Sequence, residues 1–334
     1  MQIPQPYLLF LGDVTDPLAA KTARGILQWR PEICIGQLRL TPDTVSLDLA
    51  DLSLQDAYDK GARTLVLGTA NSGGFIPQSW LTTLERALDI GFNLASGMHQ
   101  RLGDNPTLAK KARANNCKLF DVRHFDGELD VGSGKPRSGK RLLTVGTDCS
   151  VGKMYTSLAL EKEMIRQGMK AQFCATGQTG IFISGKGIAI DAVVADFISG
   201  ATEAISPEFT DHDWDIIEGQ GSLFNPSFAG VSMGLLHGSQ PDAMVLCHEV
   251  GRKHIRHLPH MPVPDLASVM EANLAAARLT NPEAKFVGIC LNTSGLAIED
   301  ARAYCEQLST QYQLPVTDPV RFGVSAIAEQ LHQL

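Results

Sequence analysis

Short, almost wholly apolar runs alternate with stretches of helical spacing along the whole chain. In the first part, residues 7–11, 33–38, 64–67, 92–95 and 118–121 have the length and apolar character of buried strands. Between them, residues 18–29, 54–60, 78–89 and 106–115 repeat their apolar positions with the period of an amphipathic helix. Asp16-Pro17 and Asn105-Pro106 each set a capping side chain before a proline at a first helical position. Strands without a polar face, alternating with helices, predict a parallel sheet covered on both sides. The first turn, Gly12-Asp13-Val14-Thr15-Asp16, lacks the three spaced glycines of a dinucleotide fingerprint, so no NAD site is assigned there.

The alternation stops between Asp126 and Lys140, where a polar, glycine-rich segment without apolar period predicts a linker. It then resumes, with strands expected at 141–145, 171–175, 215–218, 243–247 and 285–291. Helices are expected at 152–167, 266–277 and 298–311. The fold class is therefore α/β, with one domain over residues 1–135 and a second over 136–334. A length of 334 residues agrees, being long for a single core.

Composition narrows the setting. A hydrophobic content of 44% with 19% charged residues is that of a globular chain. The net charge of −7 argues against a nucleic-acid or anionic-membrane partner. No apolar run approaches the ~20 residues of a membrane span, and the first residues lack the features of a signal peptide. Seven cysteines, scattered without paired spacing, suit reduced thiols in a cytoplasm.

The strongest chemical signal is Gly146-Thr147-Asp148-Cys149-Ser150-Val151-Gly152-Lys153-Met154, directly after the strand at 141–145. A strand entering a glycine-bounded loop that opens a helix is a phosphate cradle. Its backbone N–H groups and helix N-terminus face an anion, and Lys153 reaches the phosphate charge. The next position normally carries a serine or threonine whose hydroxyl ligates Mg²⁺. Met154 offers a thioether instead, a poor ligand for a hard cation. The pattern keeps the phosphate grip and drops one element of phosphoryl-transfer chemistry.

Other polar groups cluster after strands. Glu218, followed by Gly219-Gln220-Gly221, ends an apolar run where such sheets carry their ligands. Ala175-Thr176-Gly177-Gln178-Thr179-Gly180 is a polar turn able to bind a ligand or to serve only as a turn. The stretch 246–257 gathers histidines with Arg252 and Lys253, either a solvated loop or a holder of substrate carboxylates. In the first domain, Asn71-Ser72-Gly73 could bind a carboxylate, and His99 could act as a base or be structural. Cys149 could carry an acyl group as a thioester, or be only the small residue a cradle needs. The histidines show no metal-ligand spacing, so no metal is assigned.

Gly146 to Lys153 resembles the cradle of dethiobiotin synthetases, and Ile217-Glu218-Gly219-Gln220-Gly221-Ser222-Leu223 is similar to their acidic segment. Over its full length the chain resembles a narrower family, long catalogued only as a domain of unknown function. The resemblance is carried by Ser96-Gly97-Met98-His99, Asp121-Val122-Arg123, the cradle, residues 175–180, Glu218-Gly219-Gln220-Gly221, Leu291-Asn292-Thr293-Ser294 and 317–323. It implies a Rossmann-like N-terminal domain followed by a P-loop NTPase-like domain. The family includes DgcN-type D-glutamate N-acetyltransferases, which use acetyl-CoA in D-amino-acid catabolism.

The resemblance therefore implies transfer of an acetyl group from acetyl-CoA to a small acidic amino acid, without a required metal. Glu218, His99 and Asp148 are the catalytic candidates, Gly146 to Met154 the cofactor loop. Asn71, Ser72, Gly73, Gly177, Gln178, Thr179, Arg252 and Lys253 are the substrate-binding candidates. A cytoplasmic homo-oligomer is expected. The competing reading is an ATP- and Mg²⁺-dependent ligase or kinase of the dethiobiotin synthetase type, with Asp148 and Glu218 holding the metal. A third is a nucleotide-sensing regulatory protein.

Overall fold

Every apolar run expected as a strand forms one in the computed structural model, which describes residues 2–17, 19–69 and 74–334. The chain divides into two units. The first comprises Met1–Asp126 with Gly177–Ala192, the second Gly127–Thr176 with Val193–Leu334.

The first unit runs β1 (Tyr7–Gly12), α1 (Lys21–Trp29), β2 (Cys34–Arg39), α2 (Leu54–Asp59), β3 (Thr64–Leu67), α3 (Gln78–Ile90), β4 (Asn93–Ser96), α4 (Pro106–Ala114) and β5 (Leu119–Asp121). Its strands are all parallel, in the order β2-β1-β3-β4-β5. Trp80, Leu84 and Leu88 of α3 share one core with Leu8, Phe10, Leu65 and Leu67 of the sheet. Asn105 caps α4 as expected, its side chain accepting from the N–H groups of Thr107 and Leu108. Asp16-Pro17 does not start a helix. The Asp16 carbonyl instead closes a turn on the Ala19 N–H, and α1 begins at Lys21 without a side-chain cap. The turn after β1 is committed to packing, since the Asp13 carboxylate accepts the indole N–H of Trp80 at 2.9 Å.

The second unit starts with β6 (Lys140–Gly146), α5 (Lys153–Arg166) and β7 (Ala171–Cys174). The chain then leaves it to form α6 (Gln178–Ser184) in the first unit, where the hydroxyl of Tyr7 donates to the Phe182 carbonyl. It returns for α7 (Ile198–Ile205), β8 (Trp214–Ile217), α8 (Ala229–Ser239), β9 (Ala243–Glu249) and the hairpin β10 (His254–Ile255) and β11 (Leu258–Pro262). It ends with α9 (Leu266–Ala277), β12 (Lys285–Asn292), α10 (Ile298–Tyr312), β13 (Val316–Thr317) and α11 (Ser325–His332). The parallel sheet has the order β13-β12-β9-β6-β8-β7. β6 therefore lies between β8 and β9, at the point where successive connections turn to opposite sides. In open α/β sheets that is where ligands bind, beyond the carboxyl ends of the strands.

Helix α8 escapes the apolar pattern because its stability is tertiary. A Cβ at Gly234 would lie 2.3 Å from Ile198 Cγ2, and one at Gly238 would lie 2.4 Å from the Ser199 carbonyl oxygen. Glycine costs helix propensity at these positions and permits close packing on α7. The segment expected as a linker is tied down in the second unit. The Glu203 carboxylate accepts from the N–H groups of Ser133 and Gly134, and the Arg137 guanidinium donates to the carbonyls of Ser206 and Gly238. Among the described residues, no helix is long and apolar enough to cross a membrane.

At the amino end of β8, Asp215 is buried and accepts from the Ser206 hydroxyl at 2.6 Å and from His212 Nε2 at 2.8 Å. Burial pulls the His212 pKa down, but Asp215 and Asp211 outweigh it and hold the pKa above its ordinary value. A folded-state pKa above the unfolded one gives stabilisation that is complete below ~6.5 and is lost as pH rises through the folded value. In urea unfolding, His212→Gln is therefore expected to cost more stability at about pH 5.5 than at about pH 8.5. An equal cost at both would remove His212 from the charge balance.

Candidate active site around the phosphate cradle

The loop from Thr147 to Gly152 is held in a conformation that few residues adopt. Ser150 has φ of 55° and Gly152, the N-cap of α5, has φ of 105°. Left-handed residues among right-handed ones turn successive N–H groups to one concave side, a nest for anions. The sequence after β6 thus folds into the predicted cradle.

Asp148 fixes that loop. It is fully buried, and its Oδ1 accepts from Asn225 Nδ2 at 3.0 Å and from the Cys149 N–H at 2.7 Å. Its Oδ2 accepts from the Arg252 guanidinium at 2.8 Å and from the Arg256 N–H at 2.6 Å. Burial works to raise its pKa, but these hydrogen bonds prevail and hold it below the usual carboxylate range. A carboxylate saturated in this way clasps the loop in place. Its oxygens are equally committed against the metal-holding role of the ligase reading. Among the described residues, no cluster of three or more histidine, cysteine or acidic side chains could hold a metal.

Lys153 opens α5 and is 7% exposed. Its Nζ donates to the carbonyl oxygens of Asp148 and Gly221, both at 2.9 Å. Burial lowers its pKa against the pull of surrounding thiols and carboxylates. Met154 follows in the first turn of the helix, half-buried. Burial likewise pushes the Cys149 thiol up, more than Lys153 pulls it down, so the thiol stays protonated and makes a poor acyl carrier.

Glu218 lies beyond the carboxyl end of β8 and is 4% exposed. Its Oε2 accepts from the Thr176 N–H at 3.0 Å, and its carbonyl accepts from the Thr176 hydroxyl at 2.6 Å. The next residue explains the glycine there. A Cβ at Gly219 would sit 1.7 Å from the Thr144 carbonyl oxygen and 3.0 Å from Lys153 Cδ. Its N–H donates to Thr144 Oγ1, which lies 3.0 Å from Ser157 Oγ, and Ser157 in turn donates to the Lys153 carbonyl. A hydroxyl relay therefore joins the glycine turn to the lysine backbone.

Residues outside the motifs complete the site. His248, near the end of β9, places Nδ1 3.0 Å from Thr147 Oγ1. Burial first, and Arg252 second, lower its pKa, leaving a neutral imidazole beside the cradle at neutral pH. The hydroxyl of Ser222 donates to the Thr147 carbonyl. Arg252, expected to bind substrate carboxylates, donates to Asp148, Glu249 and the carbonyls of Cys149 and Ser150. Lys253, its neighbour, is exposed. Asn225 carries no sequence signal that separates it from ordinary loop polar residues, while Ser222 stood in the acidic segment, and His248 and Arg256 in the basic stretch, without a role.

The remaining candidates lie in the first unit. His99 is exposed, and its carbonyl lies 3.1 Å from His124 Nε2. Gln178 opens α6 and packs on the strand-end turn, where a Cβ at Gly97 would lie 1.9 Å from Gln178 Oε1. The structure thus brings the turn containing His99 together with that of Gly177, Gln178 and Thr179. Asn71, Ser72 and Gly73 lie outside the described residues.

The fit around Gly219 yields a stability prediction. Gly219→Ala should cost about 1–3 kcal/mol in thermal unfolding, because the β6 backbone must move to admit the methyl group. Gly295→Ala, where an added Cβ meets nothing within 4 Å, should stay within about 0.5 kcal/mol of the parent. Equal effects would show that the turn is not tightly packed.

Comparison with known proteins agrees with this architecture. The chain matches the DUF1611 C-terminal P-loop domain, a domain of unknown function, over residues 130–328, and the DUF1611 N-terminal Rossmann-like domain over residues 39–125. A D-glutamate N-acetyltransferase from Pseudoalteromonas sp is 51% identical over 331 residues, covering 99% of this chain and 100% of the relative. A second protein of that name, from Tritonibacter scottomollicae, is 49% identical and covers 98% of this chain and 99% of the relative. The crystal structure of a DUF1611 family protein from Anabaena variabilis superposes with a TM-score of 0.86 at 32% identity, covering 99% of this chain and 100% of that one. With a Rossmann-like unit, a P-loop unit and relatives of matching length, the chain belongs to the DUF1611 family.

Proposed function

We propose that the protein is an N-acetyltransferase that moves the acetyl group of acetyl-CoA onto the amino group of D-glutamate. The reading is carried by the full-length relatives that bear this name. The chemistry of the cradle supports it. Lys153 is a buried ammonium whose hydrogen bonds go to carbonyl oxygens, so an incoming diphosphate offers it anionic acceptors in their place. Coenzyme A brings that diphosphate, and nothing in the acetyl transfer calls for a hydroxyl at position 154.

The amino group of the substrate arrives as an ammonium and must lose a proton before its nitrogen attacks the thioester carbonyl. The new C–N bond forms as the C–S bond breaks, and the departing thiolate takes up a proton. Glu218 is the proposed base. It is buried, held by the Thr176 N–H, and stands at the carboxyl end of a strand next to the cradle strand. Lys253, exposed next to Arg252, is the proposed partner of a substrate carboxylate. The polar turn of Gly177, Gln178 and Thr179 is proposed for the same task from its amide and hydroxyl chemistry. Seven free cysteines support a cytoplasmic location.

Lys153→Ala should weaken acetyl-CoA binding by about 1.5–3 kcal/mol, the worth of a charge-assisted hydrogen bond, as read by calorimetry. Unchanged affinity would remove the cradle from cofactor binding. Turnover should also persist in excess EDTA, because Met154 supplies no metal ligand. Collapse with EDTA and recovery with Mg²⁺ would favour the ATP-dependent ligase or kinase reading instead. Glu218→Gln keeps the shape and still accepts the Thr176 N–H. It should lower kcat by roughly two to four orders of magnitude with little change in acetyl-CoA affinity. Normal turnover in that variant would pass the role of base to His248, the neutral imidazole beside the same loop.

A further inference from the structure

The hairpin β10–β11 carries an arginine, Arg256, to which the acetyl-transfer reading gives no role. From Arg252 to His260 the chain has two arginines, one lysine and three histidines, and no carboxylate. His254, Arg256, His257 and His260 are exposed, while Ile255 between them is buried and anchors the hairpin.

The hairpin is fixed to the rim of the cradle. The Arg256 N–H donates to Asp148 Oδ2, and the Arg256 guanidinium donates to the Ser150 hydroxyl. Ser150 is itself exposed and left-handed, at the crown of the loop. The two arginines differ in one respect. Arg252 is answered by Asp148 and Glu249, whereas the Arg256 guanidinium donates to a neutral hydroxyl. Arg256 thus holds a cationic fork at the mouth of a phosphate site, with the charge open to a further anion.

Resting on the acetyl-CoA reading, we propose that this hairpin is a second phosphate site, in which Arg256 binds the ribose 3′-phosphate of the coenzyme. That phosphate sits on the same ribose as the diphosphate, so a group bolted to the cradle rim is within one sugar of it. A terminal phosphate monoester carries close to two negative charges and presents oxygens that a guanidinium meets with paired N–H groups. The Ser150 hydroxyl holds the fork in position until the phosphate replaces it. In this arrangement the cradle binds any nucleoside diphosphate, and the hairpin selects coenzyme A among them.

The test is calorimetry of acetyl-CoA and of acetyl-dephospho-CoA, which lacks the 3′-phosphate, on the wild type, Arg256→Ala and Arg256→Lys. The wild type should bind acetyl-CoA about tenfold or more tightly than the dephospho form. In Arg256→Ala the ratio should fall toward about one while affinity for the dephospho form is retained, and Arg256→Lys should keep part of the preference. A ratio unchanged in Arg256→Ala overturns the proposal, as does equal binding of both ligands to the wild type, and the acetyl-CoA reading then stands. An equal weakening of both ligands in Arg256→Ala also overturns it, since Arg256 would then only brace the cradle. Failure of the wild type to bind either ligand removes the acetyl-CoA reading and the second phosphate site together.

Discussion

The second unit is organised around one buried carboxylate. Asp148 draws together the cradle loop, the turn containing Asn225 and the hairpin after β9, which are distant in sequence. Removing a charge from water is costly, and a lone buried carboxylate would neutralise itself or unfold its surroundings. Here four donors, one of them a guanidinium, offset that cost, so the ion is tolerable only in the geometry that makes the cradle. The same geometry allows Lys153 to remain charged and buried, because the Asp148 carbonyl is turned toward its ammonium. The anion-binding shape is therefore enforced by an anion that the protein supplies itself.

The close glycine contacts serve the same end. Gly219 brings the turn after Glu218 into contact with β6 and the lysine stem, and the hydroxyls of Thr144 and Ser157 absorb the polar groups that this approach buries. A glutamate beyond β8, an ammonium at the start of α5 and a neutral imidazole near the end of β9 are each held through a different partner. Strand order gives this its economy, since β6, β8 and β9 are neighbours only because the chain reverses its winding at β6.

The sheets were legible in the sequence because buried parallel strands leave continuous apolar runs, and those runs are local. The cradle was legible for the same reason, its residues being contiguous from Gly146 to Met154. What the sequence hid was made by distance along the chain. Nothing local marks Asn225, Arg252 or Arg256 as partners of Asp148. Helix α8 was hidden because its glycines are poor helix formers in isolation and good spacers against α7. Asp16-Pro17 misled in the opposite sense, as a local start signal that the chain spends on a turn.

The excursion of residues 177–192 has a genetic corollary. Ile181, Phe182 and Ile183 are buried, and they belong by contact to the first unit although they are encoded after β7 of the second. No single cut in the gene separates the two units without leaving one of them an orphaned apolar helix. Neither half could be shuffled alone onto another protein and keep its surface covered.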